Sequence, residues 1–278
     1  MPQTRRSVPV EEIVDFDEEL ETFQRMVAGE DEKRLMFVRE LGGRGKTCLL
    51  RQMREHCREK DIPYSWIDFR WETYDAAHLT LAREMCEQVS VSPRNLAKAL
   101  LPLSAYGAQG EARAEIGGDV ADSQVITQVL ARVSLTDEAL RKDHIKLRLK
   151  RAFAADLSTA EGLLVCFFDS FEDVRDEEGW ILNALLHPAR EGELENVIVV
   201  TAGHRWPKIE DWEWEEDAHL IDGLPPMSIE YITIYAERVG YRITEEEAHF
   251  CWRACRGGIP IHMGVVVKNL RAMGEVRR

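Results

Sequence analysis

The sequence predicts an α/β protein, a parallel β-sheet flanked by helices, followed by a small helical unit at the C-terminal end. Three observations carry this prediction. Short apolar runs alternate with longer amphipathic stretches over residues 1–221, the signature of strand–helix crossovers. The central runs are almost continuously apolar, as strands covered on both faces must be. After Ile221 the strand-like runs cease and only helical periodicity continues.

In chain order, Glu18–Ala28 reads as an amphipathic helix, Leu35–Arg39 as the first strand and Lys46–Glu59 as a second helix. Tyr64–Phe69 is a strand and Ala77–Val89 a helix. The span from 70 to 162 is too long for one crossover and must hold several helices, among them Ser123–Val133 and Thr136–Ala155. Within it, Ser104–Gly118 is rich in Ala and Gly and reads as a mobile loop. Arg141, Lys142, Lys146, Arg148, Lys150 and Arg151 give Thr136–Ala155 a basic side, read as a solvated face.

Leu163–Asp169 and Asn196–Thr201 are buried strands, and His219–Ile221 is a short fifth. Beyond them, Ser228 can cap a helix ending at Gly240, and Thr244 with Glu247 forms a capping box for the next. Gly257-Gly258-Ile259-Pro260 then breaks the chain before a last helix from Ile261 to about Met273. The division is therefore a main domain over 1–221 and a helical unit over 222–278. The second is too small for a thick core of its own and is expected to lean on the first.

Composition narrows the function. Of 278 residues, 45% are apolar and 31% charged, as in an ordinary globular chain. The 36 basic and 50 acidic residues leave a net charge of −14, which repels phosphate backbones and argues against nucleic acid as a partner. No apolar run reaches the ~18–20 residues of a membrane span, and the basic start lacks a signal-peptide core, so a cytoplasmic protein with no membrane partner is expected. Six cysteines occur without a C-x-x-C pair. Cys251 and Cys255, near His249 and His262, could suggest zinc, but their amphipathic setting reads as small buried thiols in a reducing compartment.

The strongest local signal runs from Leu35 to Leu50: an apolar strand, the loop Glu40-Leu-Gly-Gly-Arg-Gly-Lys-Thr47, then an amphipathic helix. Such a loop lets successive backbone N–H groups wrap phosphates while the helix N-terminus adds partial positive charge. Lys46 would reach the β- and γ-phosphate oxygens and the Thr47 hydroxyl would ligate Mg²⁺. The P-loop pattern wants glycine where Glu40 stands; we expect the Glu40 side chain to turn outward, towards Arg39 or Arg44. The strand Leu163–Asp169 ends in an acid suited to hold the metal, and Glu172 or Asp173 follows at a distance suited to polarise water. A third strand ends in Thr201-Ala-Gly-His-Arg205, where Arg205 is placed as a cation to sense the γ-phosphate. Trp206, Trp212 and Trp214 lie in an acidic stretch and are read as packing residues.

Together these motifs resemble the STAND-class P-loop ATPases, relatives of the AAA+ and NB-ARC/NACHT modules, over most of the chain. Val10–Leu20 resembles the family's opening segment beside the adenine, with Phe16 where arginine is usual. Gly42–Thr47 resembles its Walker A motif, Leu163–Asp173 its Walker B motif and Arg205 its sensor arginine. Leu224-Pro-Pro-Met-Ser228 and Gly258-Ile259-Pro260 resemble motifs of its helical lid.

The resemblance implies a nucleotide contact set of Gly42, Gly43, Arg44, Gly45, Lys46, Thr47 and Cys48, with Val14 and Pro260 beside the adenine. It implies Mg²⁺ at Thr47 and Asp169, and Lys46, Asp169, Glu172 and Arg205 as the catalytic group. The expected function is an ATP- or ADP-binding regulatory switch with slow Mg²⁺-dependent ATP hydrolysis, acting in signalling or defence through self-association or protein partners. The alternative is a non-hydrolysing nucleotide-binding scaffold. The resemblance also implies an effector domain or sensing repeats, for which these 278 residues leave no room, so the chain is expected to be part of a larger protein, to work with separate partner chains or to be a stand-alone remnant.

Overall fold

The computed structural model describes residues 16–70, 77–106, 143–174, 178–208, 214–238, 240–260, 262–263, 265–267 and 269–270. Five strands form one all-parallel sheet: β1 (Leu35–Arg39), β2 (Tyr64–Asp68), β3 (Leu164–Asp169), β4 (Val197–Gly203) and β5 (Ala218–Asp222). Their spatial order is β2-β3-β4-β1-β5, so β4, late in the chain, is inserted between β1 and β3. Every residue of β3 and β4 is buried, which is why their sequences lack polar alternation.

Side chains alternate between the two faces of the sheet and feed two cores. On one face Met36, Val38, Val165, Phe167, Ile198 and Val200 pack with α1 (Asp17–Ala28) and α2 (Lys46–Glu59) through Phe23, Met26, Leu49, Leu50 and Met53. On the other, Leu35, Phe37, Cys166, Phe168, Val197 and Val199 pack with Leu79, Met85, Leu96, Phe153 and Leu185 from the remaining helices. Those helices are Ala77–Gln88, Arg94–Tyr106, Asp143–Leu157 and a helix over 178–190 that widens into a π-turn at Leu182–Leu186. Among the described residues no helix is long and apolar enough to cross a membrane.

Several boundaries differ from the sequence reading. Arg94–Tyr106 is a helix that periodicity did not single out, and Ser104 to Tyr106 belong to it rather than to a loop. The rest of Ser104–Gly118, the expected helix Ser123–Val133 and residues 136–142 lie outside the described residues. The strand expected to stop at Thr201 runs on to Gly203, because Arg39 in β1 supplies it with a partner there.

After β5 come Ile229–Arg238 and Glu245–Ala254, the second opened by the expected Thr244–Glu247 capping box. They enclose a separate core of Met227, Ile232, Tyr235, Cys251, Cys255 and Met263. Cys251 and Cys255 point into it, while His249 and His262 are exposed, so these four side chains do not converge. Residues 262–263, 265–267 and 269–270 are helical, as expected beyond Pro260. The Met227 N–H donates to the Gly258 carbonyl at 3.0 Å, and a Cβ on Gly258 would stand 2.2 Å from the Met227 carbonyl oxygen. That approach requires glycine.

Candidate functional site at the carboxyl ends of the strands

In an open parallel sheet the carboxyl ends of the strands and the loops beyond them form the natural crevice for a ligand. Here the loop 40–47 after β1, Asp169 at the end of β3 and His204 after β4 meet at that edge. Gly43 (φ 82°) and Gly45 (φ 106°) take left-handed backbone conformations that turn the loop into α2. Gly45 caps α2 without a side chain, so no side-chain cap occupies the helix's first N–H groups. The Phe16 ring and Pro260 of the helical unit lie against Gly45: a Cβ there would be 2.7 Å from Phe16 Cζ and 3.6 Å from Pro260 Cγ. Pro260 therefore reaches the loop, whereas Val14 lies outside the described residues.

Lys46 is buried, 8% exposed, and its ammonium donates to the carbonyls of Glu40 (2.6 Å) and Leu41 (3.2 Å). Burial lowers its pKa, and the nearby charges of Glu172, Asp169 and Glu40 only partly oppose this. The Thr47 hydroxyl donates to Asp169 Oδ2 at 2.8 Å, joining residues 122 apart in sequence. Asp169, 1% exposed, also accepts from the Ser170 N–H at 2.9 Å. Burial raises its carboxyl pKa; the Thr47 bond pulls against this and the neighbouring Asp68 charge adds to it.

Glu172 is half-buried and accepts from the His204 backbone N–H at 3.1 Å, while the His204 ring nitrogen Nε2 lies 3.2 Å from Oε1. The same ring sits against the loop, 3.6 Å from where a Cβ on Gly42 would be. Asp173 is exposed. His204 is thus gathered with Gly42 and Glu172, and the Arg205 Nη1 donates to the Trp206 carbonyl at 3.4 Å. Arg44 and Cys48 are half-buried, and burial raises the Cys48 thiol pKa.

The Glu40 carboxylate turns onto neither Arg39 nor Arg44. Its Oε1 accepts from the Leu41 N–H (2.6 Å) and its Oε2 from the Leu224 N–H (2.8 Å), at the passage from β5 into the helical unit. Arg39 pairs with Asp222 and lies over the Trp206 ring, 4.6 Å from its centroid. Trp206 is partly buried against the core, Trp212 lies outside the described residues, and Trp214 opens the short helix Trp214–Asp217.

The donors at this edge suit a hard cation that arrives with phosphate. Thr47 and Asp169 offer oxygen atoms, and Mg²⁺ is commonly held by one or two such groups plus phosphate oxygens and water. Among the described residues no group of three or more His, Cys, Asp or Glu could hold a metal ion by itself. Sequence reasoning missed two residues here, His204 and Arg70, whose Nη2 lies 3.5 Å from Asp169 Oδ2; for Arg70 the available signal was its place two residues after the aspartate that closes β2. No protein-family model matches this sequence, and no curated protein matches it.

Proposed function

We propose that the chain is a P-loop nucleotide-binding switch, with 1–221 as the nucleotide domain and 222–278 as its lid. The observation that carries this reading is the Thr47–Asp169 hydrogen bond beside a buried Lys46, because it joins a glycine-rich loop to a strand-end acid from 122 residues away. The strand order, with β4 between β1 and β3, supports it by bringing three strand ends to one crevice.

In this reading the loop 42–47 donates backbone N–H groups to the phosphates of ATP or ADP, and Lys46 exchanges its carbonyl partners for phosphate oxygens. Magnesium, held by Thr47 and Asp169, would offset the negative charge of the phosphates. Pro260 and Phe16 form the wall towards the base. Glu172 orients a water whose oxygen bonds to the γ-phosphorus as the bond to the β–γ bridging oxygen breaks; ADP leaves with that oxygen and Glu172 takes the water's proton. Arg205, or His204 beside it with its ring against Gly42, would read the γ-phosphate.

One observation favours the alternative, a nucleotide-binding scaffold that does not hydrolyse. The Glu172 carboxylate is already engaged by His204 through both backbone and ring, so water activation requires His204 to yield it. In either case partner chains or self-association would read out the nucleotide state.

The test is calorimetric titration of ATP and ADP with Mg²⁺, followed by a phosphate-release assay. Lys46→Ala removes charge-assisted contacts worth about 1.5–3 kcal/mol each and is expected to weaken binding at least tenfold. Unchanged affinity in that variant would remove the nucleotide reading. Glu172→Gln is expected to bind normally and release no phosphate; if the unaltered chain binds but releases none, the scaffold reading stands.

A further inference from the structure

The aspartates that end β2 and β3 are register partners, Asp68 opposite Asp169. Neighbouring strands run about 4.8 Å apart, so two carboxylates stand side by side, one of them almost wholly buried. Like charges in that position are destabilising unless a cation stands with them. The cation is Arg70. Its Nε and Nη2 donate to the two oxygens of Asp68 at 3.1 and 2.7 Å, and its backbone N–H donates to Oδ1 at 3.2 Å. The same Nη2 lies 3.5 Å from Asp169 Oδ2, the oxygen that accepts the Thr47 hydroxyl. Lys46 also acts on Asp169 through its charge, but its ammonium's hydrogen bonds go to the carbonyls of Glu40 and Leu41, which leaves Arg70 as the cation in contact with the carboxylate.

We propose that Arg70 is an intramolecular counter-ion of the magnesium site, a guanidinium that neutralises Asp169 in the metal-free protein and competes with the divalent cation for it. The proposal rests on the nucleotide reading above and adds a residue that sets metal affinity. Arg70 is suited to yield without being lost: its side chain is 44% exposed, and Asp68 keeps hold of it when Asp169 lets go. It is a positioning residue, since it acts on the metal through Asp169. The consequence is a site whose cation affinity is held down until nucleotide phosphates add their own oxygens. Bare divalent cation would then bind weakly, and the nucleotide complex much better.

The experiment uses the full chain and Mn²⁺ as the probe, with bound manganese read from loss of the free-ion electron paramagnetic resonance signal, without and with ADP. Arg70→Gln keeps a donor for Asp68 and removes the charge. It is expected to tighten Mn²⁺ binding without nucleotide at least about fivefold, the direction Coulomb's law requires when a cation leaves the site. Arg70→Lys is expected to stay within about twofold, as is Arg58→Gln, which removes one exposed positive charge from α2.

No change or a weakening in Arg70→Gln overturns the proposal, and so does equal tightening in Arg58→Gln, which would reduce the effect to net charge. If Arg70→Gln does not fold, Arg70→Met is read in its place by the same criteria. Failure of the unaltered chain to take up Mn²⁺ even with ADP overturns the nucleotide reading and the role of Arg70 together. Uptake with ADP but unaltered affinity in the variant overturns only Arg70.

Discussion

Glu40 brings a negative charge to the start of a loop that we read as a phosphate cradle, yet its carboxylate is spent on two backbone amides. The Leu41 N–H holds one oxygen and the Leu224 N–H the other, and the second of these ties the loop to the start of the helical unit. Hydrogen bonds to a charged acceptor are worth about 1.5–3 kcal/mol each, and a deprived donor adds its own desolvation cost. Glu40→Gly should therefore lower unfolding stability by about 1–3 kcal/mol, measured by denaturant titration, while changing ATP affinity less than about threefold. A tenfold gain in affinity, about 1.4 kcal/mol, would instead mean that the carboxylate repels phosphate. The sequence identified Glu40 as out of pattern. It could not identify Leu224 as its partner, because a backbone N–H leaves no compositional trace.

Among the elements, the helix Arg94–Tyr106 depends on one buried side chain of another helix. Asp156, fully buried on Asp143–Leu157, accepts from the Asn95 and Leu96 N–H groups at 2.8 Å each, filling the role of an N-cap from a distance. Asp156→Ala strands both donors in the core and should cost about 2–4 kcal/mol in chemical denaturation. Asp156→Asn, which keeps one acceptor oxygen, should cost less. The contact that holds the start of this helix comes from some sixty residues downstream, where no local pattern reveals it. Elements whose signals are local were legible, such as the buried strands β3 and β4 and the Thr244–Glu247 box. In the candidate site, Lys46, Thr47 and Asp169 were legible because a loop pattern and an apolar strand each mark them. His204 and Arg70 were not, since only strand pairing shows which strand ends become neighbours.

For the molecule as a whole, edge strand β5 is pinned to the turn before β1 by Asp31, whose Oδ2 lies 2.9 Å from His219 Nε2. Burial pushes the Asp31 carboxyl up, but its bond from the Lys33 N–H and the charge of His219 outweigh this and leave the pKa below the ordinary 3.8. A depressed carboxyl contributes stability that is present above the unfolded-state value and lost as pH falls through the folded one. Asp31→Asn should therefore cost about 1 kcal/mol or less at pH 7, and the gap from the unaltered chain should close as the pH drops below 3.8. Thermal melts between about pH 5 and pH 3 would measure it, and a gap that fails to close as the pH drops below 3.8 would contradict the assignment.

The place of β4 bears on how the protein comes into being on the ribosome. By residue 172 the nascent chain already holds the loop, its lysine and both acids, but β1 and β3 do not pair with each other; each pairs with β4. Until residues 197–203 emerge, the sheet has a gap at its centre and Thr47 has no fixed neighbour in Asp169. Domains form as their chain is delivered, N-terminal parts first. The crevice is therefore completed late, by insertion of a middle strand, and a newly made chain acquires its loop long before it acquires its site.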